Sequence, residues 1–382
     1  MATAPNPAAS ARSNSSSAIK PPTIAIVGVT GAVGREMIDC LTSRGFRFGA
    51  IKALASARSA GTTIQTSAGP LIVEALTERS FNDVDIALFS AGSGVSKQFG
   101  PIASKAGACV IDNSSAFRMD AHVPLIVPEV NASELPTRQP GQRFGCIIAN
   151  PNCSAIIMVV ALTPLHREFG IERIVVSTYQ AASGAGAAAM QDLRDQTANV
   201  LAGKPADPRV FHEPYAFNLF SHNASIETDT GLNGEEAKMI AETRKIWRDD
   251  SVRISPTCVR VPVLRAHAEA INVTLATPAT LEHVRQVLSA APGVMLVDDR
   301  ENNRFPTPQK ASGQGHVLVG RLREDPSQTP ARFTHGAPTI GFDLFVAGDQ
   351  LLKGAALNAV QIAELMFPEF AGTPAVAGAP AH

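Results

Sequence analysis

The feature that most constrains the fold is a glycine-rich turn between an apolar and an amphipathic segment near the start of the chain. Residues 23–27 are apolar, GVTGAVG follows at 28–34, and an amphipathic stretch runs over 35–41. A strand that passes through glycines into a helix begins a doubly wound α/β domain, and its backbone can approach a pyrophosphate at the helix N-terminus. The alternative is a purely structural turn. We predict that three glycines form a dinucleotide site: Gly28, Gly31 and Gly34.

The residues after the second predicted strand, near 50–55, indicate which cofactor the turn binds. An acid at this position holds the ribose 2′-hydroxyl of NAD and repels a 2′-phosphate. This chain has no acid there and carries Ser56, Arg58 and Ser59, whose hydroxyls and guanidinium suit a phosphate. We therefore predict NADP, with a solvated loop charge as the alternative interpretation of Arg58.

Strand and helix patterns alternate up to about residue 150. Strands are predicted at 71–75, 84–89 and 109–112, with a helix over 95–106. This alternation is typical of a parallel sheet covered by helices on both faces. A Gly/Ser stretch follows the strand at 84–89, at the sheet edge where ligands bind. It is interpreted as a cofactor loop or an ordinary turn, and it contains Ser90, Ala91 and Gly92.

The second half of the chain has a different pattern. Strands are predicted at 171–178, 252–261 and 269–275, and helices at 187–201, 235–247 and 281–291. This arrangement predicts an α+β domain with a mixed, largely antiparallel sheet. A last helix, over 353–367, is predicted to pack back on the first domain.

One cysteine stands where a nucleophile can be activated. Residues 144–149 predict a short buried strand and 153–162 a buried helix, so Cys153 begins that helix. The free N–H groups and the positive end of the helix dipole favour a thiolate there, and we expect a lowered pKa. The alternative is a small apolar core residue.

Two further patterns offer partners for a thiol that attacks a carbonyl. His267 follows a predicted strand and Arg260 precedes it by seven residues, so one element can present an imidazole and a cation to a cleft. Glu235 and Lys238 lie one helical turn apart, and on a shared face they can meet a zwitterionic substrate. The alternatives are a structural histidine and a solvated ion pair.

Charge and composition exclude several classes of protein. The 33 Lys and Arg against 34 Asp and Glu, with no basic stripe, predict small-molecule partners and no nucleic acid. No apolar run approaches the roughly 18–20 residues that span a bilayer, and no secretory signal is present, which predicts no membrane partner and a cytoplasmic location. Five cysteines without CxxC spacing predict neither a metal site nor disulfides. The Ser- and Ala-rich first twenty residues predict a disordered tail or, alternatively, a short transit peptide.

Taken together, these residues resemble the aspartate-β-semialdehyde dehydrogenase family, and the resemblance covers about residues 22–367. It lies in several motifs in the same order along the chain. They are Gly28–Gly34, Asp112–Arg118, Asn150–Cys153, Gln180–Gly186, Glu235–Lys238, Arg260–His267 and Gly354–Gln361.

The resemblance implies a role for each matching residue. Cys153 is the nucleophile, Gln180 orients the substrate or intermediate, and His267 transfers the proton. Arg260 holds the substrate carboxylate and Glu235 its ammonium. The phosphate is bound by Arg118, Lys238 and Asn152. The implied NADP contacts, beyond the 2′-phosphate residues and the Gly/Ser loop, are Thr30, Gly31, Ala32 and Val33 at the pyrophosphate, Ser183 and Gly184 at the nicotinamide, and Asn358.

The implied reaction is reductive dephosphorylation of L-4-aspartyl phosphate to aspartate 4-semialdehyde and phosphate, through a cysteine thioester. The implied assembly is a homodimer or homotetramer. The expected division is a tail at 1–21, an NADP-binding domain at 22–150, a catalytic and dimerisation domain at 151–352, and a returning helix with a tail at 353–382. Two alternatives stay open: N-acetyl-glutamyl-phosphate reductase, against which Glu235 argues, and a catalytically silent NADP-binding regulator.

Overall fold

A computed structural model describes residues 19–328 and 336–372 of the chain, and two seven-stranded sheets organise them. Of the N-terminal tail predicted at 1–21, residues 1–18 lie outside the described residues, and so do residues 373–382 of the predicted returning helix and tail at 353–382.

The first sheet is parallel except at one edge. Its strand order is β3-β4-β2-β1-β5-β6-β7, and only β3 runs antiparallel to its neighbour. Apolar segments buried on both sides of the sheet form its centre, as expected for a parallel sheet under helices. In chain order its elements are β1 (Thr23–Val27), α1 (Ala32–Ser43), β2 (Ala50–Ala55), β3 (Thr63–Thr66), β4 (Gly69–Ala75), β5 (Ile86–Phe89), α2 (Ser93–Lys105), β6 (Cys109–Asp112), α3 (Pro128–Asn131) and β7 (Cys146–Ala149).

The second sheet is mixed and mostly antiparallel. Its order is β12-β13-β14-β11-β8-β10-β9, with parallel pairing between β8 and β10 and between β12 and β13. Its elements are α4 (Cys153–Phe169), β8 (Ile171–Gln180), α5 (Ala187–Leu201), β9 (Phe220–Ser221), α6 (Gly234–Trp247), β10 (Arg253–Arg260), β11 (His267–Ala279), α7 (Leu281–Ser289), β12 (Val294–Leu296), α8 (Pro308–Ala311), β13 (Val317–Glu324) and β14 (Thr339–Gly348).

The predicted fold class, a Rossmann-like domain followed by an α+β domain, is confirmed. Helix α4 is longer than the predicted 153–162 segment and ends at Gly170, whose φ of +70° favours glycine. Its apolar side chains fill the core between the second sheet and the neighbouring helices.

The end of the chain returns to the first domain. The predicted helix over 353–367 begins instead with a π-helical turn, Leu352–Ala356, and continues as α9 (Leu357–Met366). Apolar residues of α9 share one buried cluster with residues of β1 and α1, among them Ile24, Met37 and Val360. The domain around the first sheet is therefore built from two separate stretches of sequence.

Within residues 19–328 and 336–372, no helix is both long and apolar enough to cross a membrane.

Candidate active site

A cleft of about 380 Å³ lies between the two sheets, where the carboxyl ends of β6, β7, β8 and β10 meet. Such edges collect functional side chains in α/β proteins. Most of the residues predicted for catalysis and substrate binding line this cleft: Arg118, Asn152, Cys153, Gln180, Glu235, Lys238 and Arg260. Residues separated by more than 140 positions in sequence are thus brought to one space.

Cys153 is the first residue of α4, as predicted, and its thiol borders the cleft. The Asn152 side chain caps the helix, with its Oδ1 accepting from the N–H groups of Ser154 at 3.0 Å and Ala155 at 3.1 Å. The backbone approaches from the other side, because a Cβ added to Gly354 would lie 3.0 Å from the Cβ of Cys153. The thiol is therefore held between a capped helix start and the π-helical turn.

The predicted lowering of the Cys153 pKa is wrong for the free protein. Burial and the nearby Glu235 carboxylate raise the pKa of Cys153 to about 12. The guanidiniums of Arg118 and Arg260 and the Ser154 N–H act in the opposite direction but are outweighed. Without bound substrate, the side chain is a thiol rather than a thiolate.

Glu235 stays ionised although it is buried. Its Oε1 accepts from Asn152 Nδ2 at 2.8 Å and from Gln180 Nε2 at 3.3 Å, and its Oε2 pairs with Lys238 Nζ at 3.3 Å. Burial would raise its pKa, but His222, Lys238 and the Asn152 amide together lower it to about 2. The cleft therefore contains a permanent carboxylate, and much of the Asn152 amide is committed to the cap and to Glu235.

Arg118 also lines the cleft and is paired within the protein. Its Nη1 contacts Glu242 Oε1 at 3.1 Å, and it donates to the carbonyls of Asn113 and Asn150, both at 2.9 Å. The guanidinium has five N–H groups, so two remain for an anion in the cleft. The sequence analysis missed Glu242, although it follows Glu235 by seven residues and so shares the helix face.

Arg260 ends β10 and is fixed by neighbours that sequence analysis did not assign. Its Nη2 donates to Nε2 of His222 at 2.8 Å and its Nε to Oδ1 of Asn223 at 3.1 Å. Burial and the Arg260 charge lower the pKa of His222 to about 4, so the imidazole is neutral. No motif distinguishes His222 among nine histidines; only its contact with Arg260 does so.

His267 sits behind the cleft wall and is fully buried. Its Nδ1 accepts from the Ala181 N–H at 3.0 Å, so in the neutral ring Nε2 carries the proton. That Nε2 has no partner among the described residues, and a Cβ on Gly184 would lie 3.0 Å from it. Burial and Arg260 lower the pKa of His267 to about 3. Gly184 is exposed and has no side chain, so only its backbone separates the imidazole from the cleft.

Gln180 ends β8 beneath the thiol. Its Nε2 shares two N–H groups among three acceptors within hydrogen-bonding distance, the hydroxyls of Ser154 at 3.1 Å and Thr178 at 3.3 Å and the carboxylate of Glu235. The amide is therefore held by three acceptors and lines the cleft beside Cys153.

The glycine turn has the shape that a dinucleotide requires. Gly28 has a φ of +89°, and a Cβ there would lie 2.9 Å from the Ser90 carbonyl carbon; a Cβ on Gly34 would lie 2.5 Å from the Gly28 carbonyl oxygen. Gly31 is the N-cap of α1 and provides no side-chain cap, so its first N–H groups, at Ala32 and Val33, can face an anion. The turn and helix start therefore fit a pyrophosphate.

The other predicted cofactor residues occupy three places. Thr30 and Gly92 are exposed beside the glycine turn, Ser90 and Ala91 are half-buried there, and Gly92 and Val33 reach the cleft. Residues Ser56, Arg58 and Ser59 form the short turn after β2, with Arg58 exposed. Ser183 borders the cleft and accepts a hydrogen bond from Gln350 Nε2, a cleft residue that the sequence analysis missed.

Asn358 is a predicted cofactor residue that lies in the core, away from both the cleft and the glycine turn. It is fully buried, and its Nδ2 donates to Ile126 O at 2.9 Å and Asn150 Oδ1 at 2.7 Å, while its Oδ1 accepts from Lys353 Nζ at 2.9 Å. All its hydrogen-bonding groups are used within the protein. Its position supports Asn150, just before the thiol segment, rather than direct cofactor contact.

Comparison with known proteins matches both halves of the chain. Residues 23–137 match the family described as semialdehyde dehydrogenase, NAD binding domain, and residues 162–353 match semialdehyde dehydrogenase, dimerisation domain. The aspartate-semialdehyde dehydrogenase of Synechocystis is 48% identical over 90% of this chain and 96% of that protein. The Bacillus subtilis enzyme of that name is 42% identical over 89% of this chain and 96% of its own. The chain belongs to the aspartate-semialdehyde dehydrogenase family.

Solved structures of aspartate-semialdehyde dehydrogenases have the same fold. Vibrio cholerae aspartate-semialdehyde dehydrogenase II, complexed with ASA, is 42% identical with a TM-score of 0.81, and covers 91% of this chain and 98% of its own. The Candida albicans enzyme with NADP is 25% identical with a TM-score of 0.67, and covers 90% and 98%. These relatives carry that name and not the name of the acetylated-glutamate alternative.

Membership in the aspartate-semialdehyde dehydrogenase family defines the protein as a dehydrogenase of amino-acid biosynthesis. Its N-terminal domain is of the nicotinamide-cofactor type and its C-terminal domain is of the dimerisation type, so it acts on small molecules and oligomerises.

Proposed function

We propose that this member of the family is an NADP-dependent enzyme that converts L-4-aspartyl phosphate to aspartate 4-semialdehyde and phosphate through a thioester on Cys153. One observation carries the proposal. The thiol at the start of α4 lies in a cleft that also contains the Arg260 guanidinium, the Glu235 carboxylate, and the Arg118 and Lys238 cations.

These charges match the substrate group by group. Arg260 pairs with the α-carboxylate and Glu235, which stays ionised, pairs with the α-ammonium. Arg118 and Lys238 hold the phosphate, with the remaining N–H of Asn152 beside them. A neutral acetylated amine would bring no positive charge to the Glu235 carboxylate, whose position beside the substrate nitrogen suits an ammonium; this argues against the acetylated-glutamate alternative.

The same pairing activates the nucleophile. Burial is the larger cause that holds Cys153 as a thiol and the Glu235 charge is the next, and an ammonium bound to Glu235 offsets that charge. Substrate binding therefore favours the thiolate at the moment when the acyl carbon is in place. In the free enzyme the unreactive thiol is protected from side reactions.

The chain's own residues then carry the acyl transfer. The Cys153 sulfur loses its proton and forms a bond to the acyl carbon, the bond from that carbon to phosphate oxygen breaks, and the departing phosphate takes up a proton while Arg118 and Lys238 stabilise its remaining charge. When bound, NADPH supplies the hydride that reduces the thioester to a thiohemiacetal. The thiohemiacetal collapses as its oxyanion: the C=O bond re-forms, the C–S bond breaks, and the Cys153 sulfur takes up a proton that His267 relays from solvent through Nε2, so the imidazole is neutral before and after the step. Gln180 holds the acyl group in position.

The cofactor is proposed as NADP because the turn after β2 presents Ser56, Arg58 and Ser59 and no acid. Ala32 and Val33 would hold the pyrophosphate, and Ser183 and Gly184 would adjoin the nicotinamide beside His267. The solved Candida albicans relative with NADP supports this choice.

The assembly is proposed as a homodimer or homotetramer that pairs through the second sheet. One face of that sheet packs on α4, whereas half-buried residues on the other face, among them Val175, Ala270 and Phe345, surround a shallow hollow of about 320 Å³. Light scattering after gel filtration measures the oligomeric state, and a monomer would contradict the proposed assembly.

The cytoplasm is proposed as the location because all five cysteines are free and one is the nucleophile. Cell fractionation tests this location.

Phosphate-dependent reduction of NADP with aspartate semialdehyde tests the whole proposal. We expect turnover that requires phosphate in the wild type, and none with Cys153→Ala, which should still bind NADP. Turnover by Cys153→Ala, or turnover without phosphate or arsenate, would refute the thioester route. Absence of turnover in the wild type would leave the silent regulator as the better description.

A further inference from the structure

Arg265 joins the two domains next to the acid–base histidine. Its Nη1 contacts Glu36 Oε1 of α1 at 2.6 Å, and its Nε contacts Asp349 Oδ2 at the end of β14 at 2.7 Å. Asp349 is fully buried, and Arg265 and Glu36 are each largely shielded from solvent. The bridge is therefore a shielded contact between domains rather than a solvated surface pair.

Asp349, the partner of Arg265 near the cleft, is fixed by its own hydrogen bonds. Asp349 Oδ2 also accepts from the Gly313 N–H at 2.7 Å, and its Oδ1 accepts from Leu351 N–H at 2.9 Å and Leu352 N–H at 3.3 Å. It thus fixes the start of the π-helical turn that packs on Cys153. Arg265 is held by a rigid anchor at this end.

The residue after Arg265 is in a strained conformation. Ala266 has a φ of +72° and is fully buried, a backbone region that non-glycine residues avoid. Its N–H donates to Gln350 Oε1 at 2.8 Å, and Gln350 in turn donates to Ser183. Such strain persists where the surroundings enforce it, and here it turns the chain directly into His267.

The other end of the bridge lies on the helix that is proposed to bind the pyrophosphate. Glu36 is one turn beyond the uncapped N–H groups of α1 at Ala32 and Val33. The 2.6 Å contact between Glu36 and Arg265 is a direct physical link from α1 to the segment that precedes His267. From Arg265 the covalent chain reaches His267 in two residues.

We propose that Arg265 is a positioning residue that couples dinucleotide binding on α1 to the placement of His267. The inference rests on the proposed function, since it assumes that the cofactor occupies the glycine turn and that His267 transfers a proton. Glu36 and Asp349 are the two ends of the coupling, and Ala266 is the strained link. The bridge and the Ala181–His267 contact exist without cofactor, so the coupling restricts the mobility of this already placed imidazole further when the cofactor binds.

Hydrogen exchange measured by mass spectrometry tests the coupling without turnover. In the wild type, NADP should slow exchange in the glycine turn, residues 28–36, and also in the segment 262–268. In Glu36→Gln, which leaves the Arg265 contact with buried Asp349 intact, NADP should still slow exchange in the turn but no longer in 262–268. Glu172→Gln is the matched control, because it removes the carboxylate from the exposed 3.5 Å pair with Arg253; it should behave as wild type.

Kinetics separate positioning from a merely structural role. Glu36→Gln should lower kcat by at least about fivefold and leave the KM for NADP within about twofold, as expected for a lost coupling between sites. Arg265→Gln should lower kcat further, and adding Glu36→Gln to it should change nothing more, because the link is already broken. Should Arg265→Gln fail to fold, Glu36→Gln decides the question by itself.

The outcomes distinguish this inference from the function on which it rests. If NADP protects 262–268 equally in Glu36→Gln and wild type, or if kcat is unchanged, the coupling is refuted. If NADP protects the turn of the wild type but not 262–268, the coupling is refuted and the cofactor site stands. If NADP protects neither segment of the wild type, the cofactor proposal itself fails.

Discussion

The backbone strain at Ala266 can be measured by comparing two alanine-to-glycine substitutions. Ala266 and Ala268 are two residues apart and 0% and 2% exposed, but only Ala266 has a positive φ. Ala268 lies in β11 and pairs with Tyr179 and Ala347. Each substitution removes one buried methyl group and adds one glycine to the unfolded chain.

The expected difference follows from those shared costs. Losing a buried methyl group costs about 0.8 kcal/mol, and the extra freedom of glycine in the unfolded chain costs roughly 0.4–1 kcal/mol. Ala268→Gly should therefore lower the free energy of unfolding by about 1–2 kcal/mol. At Ala266 glycine also relieves a left-handed strain of about 1–2 kcal/mol. Ala266→Gly should leave stability nearly unchanged.

Urea unfolding followed by the fluorescence of Trp247, the chain's single tryptophan, provides the assay. With a slope near 3 kcal/mol per molar urea, the two midpoints should differ by about 0.5 M. Both variants are compared at one protein concentration, because oligomerisation contributes to stability. Equal midpoint shifts for the two variants would show that Ala266 carries no strain and would remove that step from the coupling argument.

Three further predictions concern the cleft. Glu235→Gln removes a charge that raises the pKa of Cys153, so the free enzyme should react faster with iodoacetamide at pH 8; an unchanged rate would contradict the electrostatic argument. Gly354→Ala places a Cβ 3.0 Å from that of Cys153 and should lower kcat by more than about tenfold, since small displacements of reacting groups are costly. Gly94→Ala, where nothing lies within 4 Å, is its control and should retain activity. Arg58→Ala should weaken NADP binding more than NAD binding in titrations, and equal losses would remove Arg58 from the 2′-phosphate site.

Local sequence patterns were sufficient to predict the turn and helices that contain many of the site residues. The glycine turn, the start of α4 and the helix over 187–201 are where periodicity and glycine spacing predict them. Buried strands and helices have strong local signals, because a chain must bury apolar side chains at the period of each element. The resemblance to the family then assigned most of the cleft residues.

Contacts between distant segments were beyond local patterns. His222 and Glu242 carry no motif, yet the first contacts Arg260 and the second pairs with Arg118. Asn358 belongs to a motif but is turned into the core, where its amide is fully used. Side-chain direction depends on how α9 and the first sheet pack, which spacing along the chain does not encode.

The sequence by itself determined the class of fold, the location of the cysteine at a helix start, and the family. Each of these depends on short-range chemistry: glycine torsion, apolar periodicity and the types of residue in a motif. Only the tertiary structure decided the pKa of Cys153. The helix start alone would lower this pKa, whereas burial and Glu235 raise it. Desolvation and Coulomb interaction depend on what surrounds a group in space, and here the carboxylate that raises the pKa, Glu235, lies on α6, far from Cys153 along the chain.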